Sequence, residues 1–131
     1  MTAYVDTNII IRHLTGEPHG QAARATRYLG LASDLILEDV IFAEVAYVLE
    51  SVYRASRTVV ALSLRALLGF HSIRVRDSEL LQRAVELYEL ARLDFADAYL
   101  VASAERSGVG VVASFDRGID RVGTIQRDEP S

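Results

Sequence analysis

The chain has 131 residues, a length that favours one domain with a sizeable hydrophobic core. Its 18 acidic and 14 basic residues give a formal net charge of −4, which argues against tight, sequence-independent binding of duplex nucleic acid. Every basic residue is an arginine, so mechanisms that need a lysine are excluded, and no apolar run approaches the roughly 18 residues of a membrane-spanning helix.

The chain contains no cysteine, which excludes disulfides and thiolate metal sites. Its start lacks the basic segment of a secretion signal. Both features fit a reducing compartment, and we expect a cytoplasmic location.

Apolar spacing predicts strands that alternate with helices along the chain. In chain order, the prediction is a strand at 3–5, a helix from Thr7 to about Leu14, a helix carrying Ala22, Ala25, Tyr28 and Leu29, a strand at 34–37, helices from Asp39 to about Tyr53 and from Ser56 to Gly69, a strand at 73–75, a helix after Asp77, a helix from about Asp94 to Arg106, a strand at 110–113 and an edge strand near 123–125. Such alternation predicts a three-layer α/β/α sandwich with a mostly parallel central sheet. We expect one domain over 1–126 and a frayed tail over 127–131.

Two acids follow predicted strands. Asp6 comes directly after the first strand, and Asp116 follows the strand at 110–113 after two residues. Ligands of open α/β sheets bind at the C-terminal ends of strands, so both are candidate site residues. The alternatives are that Asp6 caps the next helix and that Asp116 belongs to an ordinary turn with Gly118.

Two further acids lie on predicted helices. Glu44 falls at the margin of the apolar arc of its helix, where a solvated side chain is the alternative. Asp97 shares a helix face with three apolar residues, Leu100, Val101 and Ala104. A carboxylate buried there must be protonated, paired or bound to metal. The alternative is a capping arrangement, with Asp94 as N-cap and Asp97 in the first turn.

These four acids could pack around one crevice. Crowded carboxylates repel one another unless protons or cations lie among them, and Mg²⁺ or Mn²⁺ is the cation that suits oxygen ligands. The three histidines share no spacing and are interpreted as structural: His13, His19 and His71.

Several stretches resemble the PIN domain, and in particular the VapC-type ribonuclease toxins of bacterial type II toxin–antitoxin modules. They are Val5-Asp6-Thr7-Asn8, the mid-chain Glu44, the run 94–102 and Ser114-Phe115-Asp116-Arg117. The resemblance covers nearly the whole chain in order and spacing. One departure is Tyr99, where many relatives carry an aliphatic residue, and it concerns packing.

The resemblance implies a PIN-like fold and a metal-dependent endoribonuclease. It implies an acidic quartet of Asp6, Glu44, Asp97 and Asp116, which Asn8 and Ser114 support. It also implies an RNA substrate, a homodimer and a cognate VapB-type antitoxin that occupies the acidic groove.

Our first hypothesis is hydrolysis of RNA phosphodiester bonds with Mg²⁺, or with Mn²⁺ in its place, held by the quartet. Asp6 and Asp97 are the expected direct ligands. Two arginines close in sequence to the acids, Arg12 and Arg117, are candidates to bind RNA phosphates. The alternatives are a PIN-fold RNA-processing nuclease outside a toxin–antitoxin system, a phosphoryl-acceptor domain, which the absence of lysine disfavours, and a module that only binds a partner.

Overall fold

The computed structural model describes residues 1–131 and alternates parallel strands with helices. The predicted α/β class is therefore confirmed. The chain divides into two compact units, Met1–Arg76 and Asp77–Ser131, which are described separately. None of the helices combines the length and the apolar character needed to cross a membrane.

The first unit contains a parallel sheet and four helices. Its elements are β1 Thr2–Tyr4, α1 Thr7–Thr15, α2 His19–Leu31, β2 Asp34–Ile36, α3 Asp39–Ser51, α4 Arg57–Leu68 and β3 Ile73–Arg74. The strand order is β1-β2-β3, with Ala3 opposite Leu35 and Leu35 opposite Ile73. Leu35 and Leu37 are buried together with Phe42 and Val45 of α3. The β1 strand thus delivers Asp6 to the start of α1.

The second unit contains a helix pair and a pair of parallel strands. Its elements are α5 Ser78–Leu90, α6 Phe95–Ser107, β4 Val111–Ala113, a 3₁₀ helix Arg117–Arg121 and β5 Gln126–Asp128. Helices α5 and α6 pack together and bury Leu81, Val85, Tyr88, Ala98 and Val101. The N-terminal end of α6 carries Asp97, and the loop after β4 carries Asp116.

The prediction for the C-terminus is wrong in two respects. The last strand lies at Gln126–Asp128 rather than near 123–125, so residues 127 and 128 do not belong to a frayed tail. Arg127 pairs in register with Val112, and its side chain, only 12 % exposed, forms ion pairs with Asp120 and Glu129. The strand is held by its backbone hydrogen bonds to β4 and by these ion pairs. Neither requires alternating apolar residues, so the sequence pattern did not predict the strand at this position.

Candidate active site

Asp6 takes the N-cap position of α1, and its side chain makes no capping hydrogen bond. Asp6 therefore has the N-cap position that the capping alternative predicts but does not cap the helix through its side chain, and its exposed carboxylate remains accessible. Asn8, on the first turn of α1, is also exposed. Between them, the hydroxyl of Thr7 is buried and has no hydrogen-bond partner. The first strand end thus presents one carboxylate and one amide to solvent.

Glu44 lies in the middle of α3 and is exposed. The buried face of this helix carries Phe42 and Val45, whereas Val40 and Tyr47, one turn on either side of Glu44, are 71 % and 68 % exposed. No arginine pairs with Glu44, so its oxygens are accessible to a ligand, and its role in the site stays a prediction.

Asp97 and Asp116 are brought together in the second unit. The Asp97 carboxyl is half-buried and shares a hydrogen bond with the Asp116 side chain. Burial raises the pKa of Asp97, and the hydrogen bond and charge of Asp116 raise this pKa further. When no cation neutralises the pair, the Asp97 carboxyl therefore holds its proton more tightly than an ordinary aspartate does.

The loop after β4 fixes the position of Asp116. The backbone N–H of Asp116 donates to Ser114 Oγ at 2.9 Å, and Asp116 Oδ1 accepts from the backbone N–H of Gly118 at 2.8 Å. Ser114 itself is tied to β5, because its N–H donates to the carbonyl of Asp128 at 3.0 Å. Ser114 therefore orients the segment that carries the carboxylate.

Asp94 takes the N-cap position of α6 without a side-chain capping bond. The predicted positions, Asp94 as N-cap and Asp97 in the first turn, are confirmed, but the Asp94 side chain makes no capping hydrogen bond. The negative charge of Asp94 instead contributes to the raised pKa of Asp97, three residues later on the same helix face. Genuine caps occur elsewhere: Ser56 accepts from the N–H of Val59, and Asp77 accepts from the N–H of Leu80.

The donor set in the second unit suits a hard cation. Asp97 and Asp116 offer oxygen ligands, the nearby charge of Asp94 is also negative, and no arginine pairs with any of the three. No group of three or more histidine, aspartate or glutamate side chains is arranged to hold a metal ion. Asp6 and Glu44 belong to the first unit, so the four-acid site stays a prediction.

The two arginines predicted to bind RNA phosphates lie on different elements, Arg12 on α1 and Arg117 on the 3₁₀ helix. Arg12 Nε donates to Gln21 Oε1 at 2.6 Å, and Arg117 is exposed at the start of the 3₁₀ helix.

Two of the histidines interpreted as structural make contacts within the first unit. His13 Nδ1 lies 2.8 Å from Thr26 Oγ1. His71 stacks on Phe70, and its Nε2 lies 3.3 Å from the carbonyl oxygen of Gly30. His13 and His71 thus make packing contacts, as their structural interpretation requires.

Comparisons with known proteins give a family match. A family model described as "PIN domain" matches residues 3–125. Among solved structures, the toxin VapC20 of Mycobacterium tuberculosis, described as cleaving the sarcin-ricin loop, is 18 % identical and aligns over 90 % of this chain and 92 % of its own, with a TM-score of 0.45. VapBC2 of Rickettsia felis, solved with a DNA fragment from the promoter of its genes, is 14 % identical over 100 % of both chains, with a TM-score of 0.38. No curated protein matches the sequence.

Proposed function

The chain belongs to the PIN-domain family, and from this premise we propose that it is an endoribonuclease toxin that hydrolyses RNA phosphodiester bonds with Mg²⁺ or Mn²⁺. The observation that carries the proposal is the hydrogen-bonded pair Asp97 and Asp116, whose repulsion a divalent cation would relieve. The family match runs through both units and includes all four acids. It supports the predicted single domain, whose C-terminal boundary moves from residue 126 to 128 because β5 ends there.

In this proposal, Asp97 and Asp116 would hold the cation, and Asp6, which the sequence analysis expects as a direct ligand with Asp97, would complete the set together with Glu44, directly or through water. A divalent ion held by these residues would lower the pKa of a water molecule and neutralise charge on the scissile phosphate. Ser114 keeps Asp116 in place through the backbone hydrogen bond at 2.9 Å. Asn8 offers an exposed amide to the RNA.

We also propose a homodimer and a VapB-type antitoxin as partners. Large apolar side chains exposed on α3 and α4 support a protein contact in the first unit: Val40, Tyr47, Val59 and Leu62. A PIN nuclease outside a toxin–antitoxin system would cut RNA without such a partner. Inducible expression discriminates the two, because a toxin arrests growth and co-expression of its cognate antitoxin restores growth.

A cleavage assay tests the proposed activity. The purified chain should cut labelled RNA with Mg²⁺, lose activity with a chelator, and lose about 100-fold or more with Asp97→Asn, the scale expected when a group that stabilises transition-state charge is lost. The matched control is Asp128→Asn, an exposed aspartate of the same unit whose side chain makes no hydrogen bond or ion pair, and it should cut at the rate of the unsubstituted chain. Cleavage that survives both the chelator and Asp97→Asn contradicts the proposal.

A further inference from the structure

The first unit contains a pocket of about 450 Å³ between α1 and α2. Its polar walls come from Asn8 and Arg12 on α1 and from Gln21, Arg24 and Tyr28 on α2. Asn8 and Arg12 are four residues apart, as are Arg24 and Tyr28, so each pair lies on one face of its helix. No carboxylate lines the pocket, although acids outnumber bases in the chain. Its volume lies within the range of about 300–1,000 Å³ that is common for small-ligand sites.

The two arginines of this pocket have no carboxylate partner. Arg12 donates through Nε to Gln21 at 2.6 Å, which holds the guanidinium while its terminal N–H groups remain available. Arg24 is exposed and forms no ion pair. Five other arginines form ion pairs with aspartate or glutamate: Arg74, Arg76, Arg83, Arg106 and Arg127. The pocket therefore concentrates positive charge that the protein itself does not neutralise.

Tyr28 adds an aromatic surface to this charge. The sequence pattern predicted Tyr28 on the buried face of α2, with Ala22, Ala25 and Leu29, yet the side chain is 44 % exposed and lines the pocket. Arginine forks match the geometry of phosphate oxygens, and an exposed tyrosine ring is a surface on which bases stack. Two arginines and one aromatic ring together match the phosphate and the base of a nucleotide.

We propose that this pocket binds one nucleotide of a single-stranded RNA, with its phosphate at Arg12 and Arg24 and its base on Tyr28. This inference rests on the proposed function, and it adds a substrate-binding site that the acidic residues do not provide. Asn8 on the pocket wall is two residues along the chain from Asp6, one of the candidate catalytic acids. An acidic peptide would satisfy the arginines as well, but it would leave the aromatic surface without a role.

The test measures binding of a fluorescent 2′-O-methyl oligoribonucleotide, which resists cleavage, to the full chain in the presence of a chelator. Arg24→Gln should weaken binding about 5- to 10-fold and reduce the slope of log affinity against log salt by about one, since one phosphate contact is lost. Tyr28→Leu should weaken binding about 5-fold or more, because a base then loses its stacking surface. The matched control is Arg27→Gln, an exposed arginine of α2 that does not line the pocket, and it should change affinity by less than about 2-fold.

Two outcomes would overturn the inference. If Arg24→Gln and Arg27→Gln weaken binding equally, the arginines act only as general surface charge. If Tyr28→Leu binds the oligonucleotide with the affinity of the unsubstituted chain, and a polyglutamate peptide displaces the oligonucleotide, the pocket is a peptide site. Steady-state cleavage separates this inference from the proposed function. If the pocket binds RNA, Arg24→Gln should raise the KM for RNA and leave kcat unchanged. If the unsubstituted chain cleaves no RNA, the nuclease proposal is rejected, and the binding measurements alone decide whether the pocket binds a nucleotide.

Discussion

The two ends of α6 carry acids in opposite electrostatic situations. Near its C-terminal end, Glu105 accepts two hydrogen bonds of 2.8 Å from Arg83 of α5, and these bonds lower the pKa of Glu105 despite its partial burial. At its N-terminal end, Asp97 has no arginine partner, and burial together with Asp116 raises its pKa. The same helix thus has one end whose charges stabilise the fold and one end whose charges oppose it.

The difference shows where charge is neutralised by the protein and where it is left for a ligand. Around the C-terminal end, Arg106 pairs with Asp77 at 2.9 Å, so both arginines near this end serve the α5–α6 contact. Around the N-terminal end, neither Asp94 nor Asp97 forms an ion pair with any of the 14 arginines of the chain, so their negative charges stay uncompensated. A costly arrangement of this kind is retained where function requires it.

The largest expected effect is a metal-dependent rise in stability that requires the uncompensated end. At a Mn²⁺ concentration 100 times its Kd, binding to the folded state alone adds about 2.7 kcal/mol to the free energy of unfolding. We expect Mn²⁺ to raise the Tm of the unsubstituted chain by several degrees and to leave the Tm of Asp97→Asn unchanged. Differential scanning fluorimetry with and without a chelator measures this difference, and an equal Mn²⁺ effect on both proteins would show that the ion binds elsewhere.

The next effect concerns the compensated end. Glu105→Gln removes one charge from a pair whose side chains are only 17 % and 34 % exposed, and we expect the free energy of unfolding to fall by about 1 kcal/mol. The control is Glu79→Gln, because Glu79 pairs with Arg106 but is 78 % exposed, and its loss should change stability by less than about 0.5 kcal/mol. Urea denaturation measures both. Equal effects would mean that burial does not distinguish the two ion pairs.

Much of the fold was predictable because its signals are local. Apolar spacing predicted the helices, and the caps Ser56 and Asp77 lie where the sequence indicated. The strand β5 was misplaced because Gln126-Arg127-Asp128 has no apolar alternation, and its pairing with β4 is a tertiary contact. A pairing of this kind cannot be predicted from the local sequence pattern of either strand.

The residues of the candidate site could be proposed from the sequence, whereas the contacts between them could not. Asp97 drew attention because it shares a helix face with Val101 and Ala104, both of which are buried. Its hydrogen bond with Asp116 joins residues 19 positions apart, and only the folded chain brings them together. The pocket residues Arg24 and Tyr28 were missed as a binding site because their spacing on α2 is typical of any helix surface.

A smaller effect is the pH dependence of stability at the uncompensated end. The pKa of Asp97 in the folded state is raised above its ordinary value of 3.8, so the folded state binds the proton more tightly than the unfolded state does. Its ionisation therefore lowers stability progressively as the pH rises from about 3.8 through the raised pKa. We expect Asp97→Asn, measured in chelator, to match the unsubstituted chain near pH 3 and to have a higher Tm, by a few degrees, at pH 7.

The smallest expected effect tests whether the position of Asp116 matters beyond its charge. A Cβ at Gly118 would lie 3.0 Å from Asp116 Oδ1, closer than ordinary packing allows, whereas a Cβ at Gly123 would meet no atom within 4 Å. Gly118→Ala should therefore displace the Asp116 carboxylate by a few tenths of an ångström and slow RNA cleavage about 3- to 10-fold, since catalytic groups tolerate little misplacement. Gly123→Ala should cleave at the rate of the unsubstituted chain, with both variants compared at saturating Mg²⁺. Equal rates for the two variants would contradict the prediction that the position of the Asp116 carboxylate limits the rate of cleavage.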